Sequence, residues 1–239
     1  MIMTHGSTFF TSSRFVLFAL FACAAGAGAC GTVEQSTDQP PAGSSCAELA
    51  ALELPDTTIT LAELVPAGTF LPPGGADPIE VPSSCRVVGV TTPAVNFEVW
   101  LPDDWNGKYQ GVGNGGMAGT ILYERMAPAL ARGYATANTD TGHTAGDGAF
   151  DASWAAGHPE LIEDFGHRAL HVTTVNGKAI TEAFYGEPPR YAYYTGCSKG
   201  GQQGLMEAQR YPDDFDGLVA GNPANDWTGL YAGAHLWFS

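Results

Sequence analysis

Positive charge is scarce in this sequence. Of its 239 residues, 10 are Lys or Arg and 25 are Asp or Glu, so the formal net charge is −15. A surface of that sign repels nucleic-acid phosphates and anionic lipid headgroups. We therefore expect no nucleic-acid partner and interpret the acidity as a solubilising surface. Hydrophobic residues make up 44% of the chain, which is enough for a globular core.

The apolar run near the start of the chain is short. A stretch of eleven apolar residues, 15–25, has the length of a signal-peptide core and is too short to cross a bilayer. Residues 1–30 are therefore predicted to be an export signal, and the Ser-, Pro- and Gly-rich residues 31–45 a flexible tether. An A-x-A-like site allows simple cleavage, whereas Cys30 allows lipidation and membrane anchoring. The predicted location is secreted, periplasmic or lipid-anchored at the cell surface, and these alternatives stay open.

Cysteine is infrequent, with five residues in the chain. Two of them, Cys23 and Cys30, fall in the predicted export segment. The part that is expected to fold contains Cys46, Cys85 and Cys197. Because three thiols cannot all pair within one chain, at least one of them needs another explanation.

The most informative stretch is residues 191–204, which read YAYYTGCSKGGQQG. Ser198 stands between Gly196 and Gly200 in the pattern G-x-S-x-G. The preceding residues are aromatic and β-prone, and the following ones favour a helix, so the serine falls on a strand-to-helix turn. The pattern predicts a nucleophile elbow. The alternative is a chance match in a chain that contains 31 glycines.

Two backbone groups are candidates for stabilising an oxyanion. The N–H of Lys199 is the first at the start of the helix that follows the elbow, where unpaired N–H groups favour negative charge. The second candidate lies in the segment GNGG, where the N–H of Gly116 is preferred and that of Gly115 is the near alternative. A plain β-turn is the other interpretation of this glycine-rich segment.

The blocks GCSKGGQQ and EAQRYPDDFDGLVAGNPANDW resemble the tannase and feruloyl esterase family of α/β-hydrolases. Upstream blocks agree in order, among them CAELAALELPDTTIT, CRVVGV, FEVWLPDDWNGKYQGVGNGG and ALARGYATANTDTGH. The resemblance extends from about residue 46 almost to the end of the chain. Gln202 departs from it, because family members commonly carry Arg at that position.

The resemblance implies a function and several roles. Ser198 would be the nucleophile that hydrolyses small galloyl or hydroxycinnamoyl esters through an acyl-enzyme. Cys197, directly before it, would pair with a cysteine that follows the catalytic histidine, and Cys46 would form a disulfide with Cys85. Family members bind a structural calcium in an inserted lid. No cofactor or metal is expected in this chain itself.

The family order of catalytic residues is Ser, then Asp, then His. This sequence ends 41 residues after Ser198 and contains no His-Cys dipeptide. The lid, the acid and the base are therefore expected to be absent from the chain, as in a truncated reading frame or one part of a split enzyme. Two other readings stay open, namely a catalytically dead exported fragment and a surface lipoprotein that binds ligands without turnover.

Four other residues are candidates for a catalytic or metal-binding role. Asp140 and His143 follow a predicted strand but precede the serine, so a role in shaping the site is expected of them. His167 and His171 are spaced i, i+4, but no HExxH glutamate lies between them and no third ligand is evident. They are interpreted as ordinary helix histidines.

Alternating strand and helix patterns predict an α/β fold with a mostly parallel sheet over residues 46–239, the N-terminal portion of an α/β-hydrolase. Residues 66–82 are rich in Pro and Gly, and this region is predicted to be an irregular N-terminal decoration. Residues 57–60 are β-branched. Strands are predicted over residues 86–90, 97–101, 108–113, 134–139, 190–195 and 217–220, and helices over residues 46–54, 122–132, 158–185, from the elbow to 210, and from 225 onward.

Overall fold

The structure, a computed structural model, describes residues 43–75, 77–146, 150–227 and 229. The predicted export signal with Cys30, and most of the predicted tether, lie outside these residues. So does most of the helix predicted from residue 225 onward. In the part of the chain that is described, no helix is both long and apolar enough to cross a membrane.

Regular elements account for most of the described chain. The strands are β1 (Thr57–Val65), β2 (Gly68–Phe70), β3 (Ile79–Val81), β4 (Ser84–Thr91), β5 (Val95–Pro102), β6 (Lys108–Val112), β7 (Ala135–Thr139), β8 (Tyr191–Cys197) and β9 (Gly217–Gly221). The α-helices are α1 (Tyr123–Leu130), α2 (Pro159–Glu163), α3 (Ala169–Tyr185) and α4 (Lys199–Arg210).

Within the described residues, seven strands form one sheet in the order β1-β4-β5-β7-β6-β8-β9. The pairs from β1 to β7 are antiparallel, and those from β7 through β6 and β8 to β9 are parallel. The predicted α/β class, with an antiparallel opening and a parallel sheet leading to the elbow, is confirmed. The parallel half positions the candidate site, because the loops after β6, β7 and β8 leave the sheet at one edge.

Helices cover both faces of the sheet because the strands alternate apolar side chains between the faces. On β5, Phe97, Val99 and Leu101 point into a core that Leu170 and Ile180 of α3 complete. Trp100, between them in sequence, packs on the opposite face with α1. Both clusters consist of buried side chains, so the sheet is the middle of three layers.

The region predicted to be an irregular decoration is more regular than expected. β1 extends to Val65 and pairs with β4 along its length, and β2 and β3 form a two-stranded antiparallel sheet. The prediction of an irregular segment over residues 66–82 is therefore wrong for β2 and β3. Directly before that segment, β1 is an edge strand of the main sheet. Long-range pairing and the bond between Cys46 and Cys85 fix it there, and neither is visible in the local pattern.

The disulfide joins the short 3₁₀-helix Ala47–Ala51 to the main sheet. Its S–S distance is 1.97 Å and both half-cystines are buried. This confirms the predicted pairing of Cys46 with Cys85. Such a bond indicates a protein that folds in an oxidising compartment.

The long predicted helix over residues 158–185 forms in three parts. α2 passes through a π-helical turn at Asp164–Arg168 into α3. The turn places the carbonyls of Phe165 and Gly166 beside the elbow helix, where they accept hydrogen bonds from the side chains of Lys199 and Gln202. Turns of this kind often occur at functional sites.

Candidate active site

Ser198 sits between the end of β8 and the start of α4, as the sequence predicts. Its φ of 61° and ψ of −116° lie in a region that residues other than glycine rarely adopt. Hydrogen bonds to neighbouring backbone groups maintain this conformation. The Ser198 N–H donates to Gly221 O at 3.0 Å, and the Ser198 carbonyl accepts from the N–H groups of Gln202 and Ala224. The side chain is exposed. A strained, exposed serine between a strand and a helix has the geometry that a nucleophile elbow requires.

The glycines around Ser198 are needed because backbones approach closely there. A Cβ on Gly196 would lie 2.5 Å from the carbonyl oxygen of Gly200, and one on Gly200 would lie 3.0 Å from that of Asn114. Any larger residue at Gly196 would push α4 away from the sheet. The close approach brings the start of α4 against the loop that follows β6.

Asn114 anchors that loop to the elbow helix. Its backbone N–H donates to Gln203 Oε1 at 2.9 Å, and Gln203 Nε2 returns a hydrogen bond to Asn114 Oδ1 at 3.0 Å. The Asn114 amide also donates to Thr139 O at the end of β7, at 2.7 Å. Gly200 N–H donates to Asn114 O at 3.0 Å. The ends of three parallel strands are thus tied together around one buried asparagine.

The predicted oxyanion donors lie in this arrangement. Among the backbone groups that the structure describes, the N–H groups of Lys199, Gly115 and Gly116 have no hydrogen-bond acceptor, whereas those of Ser198 and Gly200 have one each. Gly116 has a φ of 55°, a left-handed conformation that suits glycine. These N–H groups are the kind of donor that an oxyanion requires.

The side chain of Lys199 lies beneath the elbow, at 1% exposure. Its Nζ donates to Phe165 O and to Gln202 Oε1, both at 2.7 Å, and lies 3.4 Å from the centre of the Phe165 ring. Burial lowers the pKa of Lys199 to about 7, while the ring face and the two acceptors favour the charged form. Lys199 therefore links the start of α4 to the π-helical turn.

Asp140 and His143 shape the same edge of the sheet. The Asp140 carboxylate accepts from the Asn96 backbone, the Asn96 amide and Gly142 N–H, and burial raises its pKa to about 6. His143 Nε2 lies 2.8 Å from Met117 O, and its ring stacks on Trp154 at 3.8 Å. Burial lowers the pKa of His143. Neither residue hydrogen-bonds to Ser198, and no other histidine in the described ranges does so.

Comparison with known proteins decides the family. The sequence model of tannase and feruloyl esterase matches residues 79–239. The chain belongs to the tannase and feruloyl esterase family. Its fold is accordingly that of an α/β-hydrolase.

Three relatives of the family show how far the similarity extends. An uncharacterized esterase of Xanthomonas campestris pv. campestris is 48% identical over 191 residues, covering 78% of this chain and 33% of the relative. A crystal structure of an esterase from Aspergillus oryzae has a TM-score of 0.74 at 34% identity and covers 81% of this chain and 40% of that one. Feruloyl esterase B from Aspergillus oryzae has a TM-score of 0.70 at 36% identity, covering 77% and 38%. The chain therefore spans 33% to 40% of the length of these proteins.

Cys197 lies directly before Ser198, at the position that the family resemblance assigns to a cysteine. Of the cysteines that the structure describes, it is the unpaired one, and it is exposed. Its thiol is therefore free for a partner outside the described residues.

Several residues that position the family elbow are not evident from sequence. Asn114 and Gln203 are 89 residues apart, and Tyr194 donates to Gly200 O across the strand-to-helix turn at 2.7 Å. Arg125 Nη1 on α1 reaches the Gly113 carbonyl at 3.0 Å. The only sequence signal for these residues is a polar side chain within an otherwise apolar or glycine-rich stretch, which does not reveal its partner.

Proposed function

We propose that this protein is a carboxylic ester hydrolase in which Ser198 is the nucleophile. The observation that carries the proposal is the backbone of Ser198, which holds an exposed hydroxyl in a strained conformation at the carboxyl end of β8. Such strain is retained where geometry serves a reaction. Membership of the tannase and feruloyl esterase family supports the same chemistry.

In this mechanism Ser198 Oγ attacks the ester carbonyl, and the carbonyl oxygen becomes an oxyanion. The N–H groups of Lys199 and Gly116 donate to that oxyanion, as the lack of other acceptors for them allows. The alcohol then leaves with the proton that Ser198 gave up. Water adds to the acyl-enzyme, the acid is released and a proton returns to Ser198 Oγ. Because these donors are backbone groups held by Asn114 and Gln203, they need little reorganisation during the reaction.

The attack also needs a base that accepts the Ser198 proton. None of the described histidines hydrogen-bonds to Ser198, so the base in this proposal is a histidine outside the described residues. Cys197 supports this assignment, because its exposed thiol lies next to the nucleophile. A disulfide from Cys197 to a cysteine beside the base would hold base and nucleophile together.

The proposed substrates are small esters of aromatic acids, namely galloyl and hydroxycinnamoyl esters. The support is the family, together with the name of the Aspergillus oryzae feruloyl esterase B, to which the chain is 36% identical. The proposed place of action lies outside the cytoplasm, either freely secreted, periplasmic or anchored through a lipid on Cys30. The buried disulfide supports export.

The experiment is a substrate panel on a fusion protein in which residues 46–227 replace the matching part of the Xanthomonas campestris esterase. We expect the fusion to hydrolyse methyl ferulate or methyl gallate with a kcat/KM at least ~10-fold above that for methyl hexanoate, since pocket contacts discriminate by 1–3 kcal/mol. The unmodified Xanthomonas protein is the matched control. Equal rates for aromatic and aliphatic esters in a folded fusion would contradict the substrate class.

A further inference from the structure

A cluster of polar side chains is formed by α3, by α4 and by the loop that follows α4. His171 on α3, Glu207 on α4 and Asp214 in the following loop each offer one ligand-type atom, and these atoms all lie within 4.8 Å of one another. His171 Nδ1 is 2.7 Å from Asp214 Oδ2. The sequence shows no third ligand near His167 and His171, but the fold places two carboxylates beside His171.

Glu207 gives this cluster its significance. It is fully buried, at 0% exposure, and neither of its carboxylate oxygens has a hydrogen-bond donor among the described residues. No described Lys or Arg forms an ion pair with it. A buried carboxylate without donors is costly, because burial removes the hydration of the charge. A bound cation would remove that cost.

The donor set resembles a zinc site more than a calcium site. One imidazole nitrogen and two carboxylate oxygens are common zinc ligands, whereas calcium takes 6 to 8 oxygen ligands as a rule. Zinc–ligand distances of about 2.0–2.2 Å require tetrahedral ligand atoms to lie roughly 3.4 Å apart, so shifts on the order of 1 Å would close the site. His171 keeps 31% of its side chain exposed, which provides an entry path.

From this geometry we propose that His171, Glu207 and Asp214 form a structural site for Zn²⁺ with water as the fourth ligand. The ion ties α3 to α4 and to the loop after α4, and its ligand Glu207 lies nine residues after Ser198 in the chain. The site therefore stabilises the element that begins at the nucleophile without taking part in the reaction.

The competing arrangement is a proton shared between the two carboxyl groups. Burial and the nearby Asp214 raise the pKa of Glu207 well above its ordinary value, which favours a protonated side chain when no cation is bound. A protonated Glu207 would donate to Asp214. The two arrangements differ in their response to zinc, which makes them separable by experiment.

The test is a calorimetric titration of the EDTA-treated chain with ZnCl₂, together with thermal unfolding in zinc and in EDTA. We expect one zinc ion per chain and a higher melting temperature in zinc, because a ligand that binds the folded state stabilises it. Co²⁺ in place of zinc should give a visible absorption band that zinc displaces. This band reports on ligand geometry directly.

Glu207→Gln keeps the shape of the side chain and removes its charge. Loss of an outer-shell partner weakens metal binding roughly 10- to 100-fold. Glu207→Gln and His171→Gln each remove a direct ligand, so each should weaken zinc binding by more than that. His158→Gln is the matched control, because His158 is an exposed histidine outside the cluster. Zinc binding that is absent from the unsubstituted chain, or that Glu207→Gln leaves unchanged, would overturn the site in favour of the shared proton.

Discussion

At the scale of single residues, Gln203 connects the elbow helix to the loop after β6. Replacement by Ala leaves the Asn114 N–H and Oδ1 buried without their partners. Such groups cost about 1–3 kcal/mol. We expect Gln203→Ala to lower the melting temperature by roughly 2–12 °C at about 2–4 °C per kcal/mol for a domain of this size.

The matched control for this change is Gln209→Ala, which alters an exposed glutamine on the same helix. It should melt within about 1–2 °C of the unsubstituted protein, since exposed substitutions typically change stability by less than ~0.5 kcal/mol. Equal melting temperatures for the two variants would show that the Asn114–Gln203 pair contributes little.

Lys199 provides a test by pH. Burial lowers its pKa from 10.5 to about 7 in the folded protein, so between these values the unfolded chain binds more protons. Folding stability from this group therefore rises with pH above about 7, by at most ~1.4 kcal/mol per pH unit. Below about pH 7, the buried Lys199 charge lowers the free energy of unfolding by its full amount.

The measurement is urea unfolding of the unsubstituted protein and of Lys199→Met at several pH values between 7 and 9. The stability of the unsubstituted protein relative to the variant should increase across this range. Comparing the two removes the contributions of titrating groups that both proteins share. A difference that does not vary with pH would show that the Phe165 ring and the two acceptors keep the ammonium charged.

At the scale of elements, the contact between α4 and β9 depends on Gly201. A Cβ there would lie 2.4 Å from Gly221 O and 2.8 Å from Pro223 Cα, and both are backbone atoms. Gly201→Ala should lower stability by about 1–3 kcal/mol through overpacking, which outweighs the ~1 kcal/mol gain in helix propensity. Chemical denaturation measures this change.

Gly166→Ala is the control for that experiment, because a Cβ on Gly166 meets no atom within 4 Å. Its stability should stay the same or rise. If Gly201→Ala is as stable as this control, β9 moves away from α4 more easily than the close contacts indicate.

The elements that were predictable from sequence are those whose pattern is local. The strand before Ser198, the helix after it and the central strands appear within a few residues of their predicted bounds. For β1 the sequence shows only a β-branched start, because the strand is stabilised by pairing with β4. The contacts of Asn114 with Gln203 and of His171 with Asp214 join distant segments, so only the folded chain reveals them.

At the scale of the whole molecule, the antiparallel and parallel halves of the sheet carry different features. The antiparallel half, with β1, β4 and β5, carries Cys85 of the buried disulfide and part of the apolar core. The parallel half directs Ser198, the GNGG loop and Asp140 to one edge, which is the edge where parallel sheets carry their sites. The candidate site therefore lies in the parallel half, where the hydrogen bonds between Asn114 and Gln203 join the GNGG loop to the helix that follows Ser198.

The central claim is that Ser198 is the nucleophile, and one rate measurement tests it. In the fusion protein with the Xanthomonas campestris esterase, Ser198→Ala should lower kcat for methyl ferulate by roughly 10⁴- to 10⁶-fold, because a triad member is lost. Ser153→Ala, which changes an exposed serine elsewhere, should leave the rate unchanged. If the folded Ser198→Ala fusion hydrolyses the ester within a few-fold of the unsubstituted rate, Ser198 is not the nucleophile.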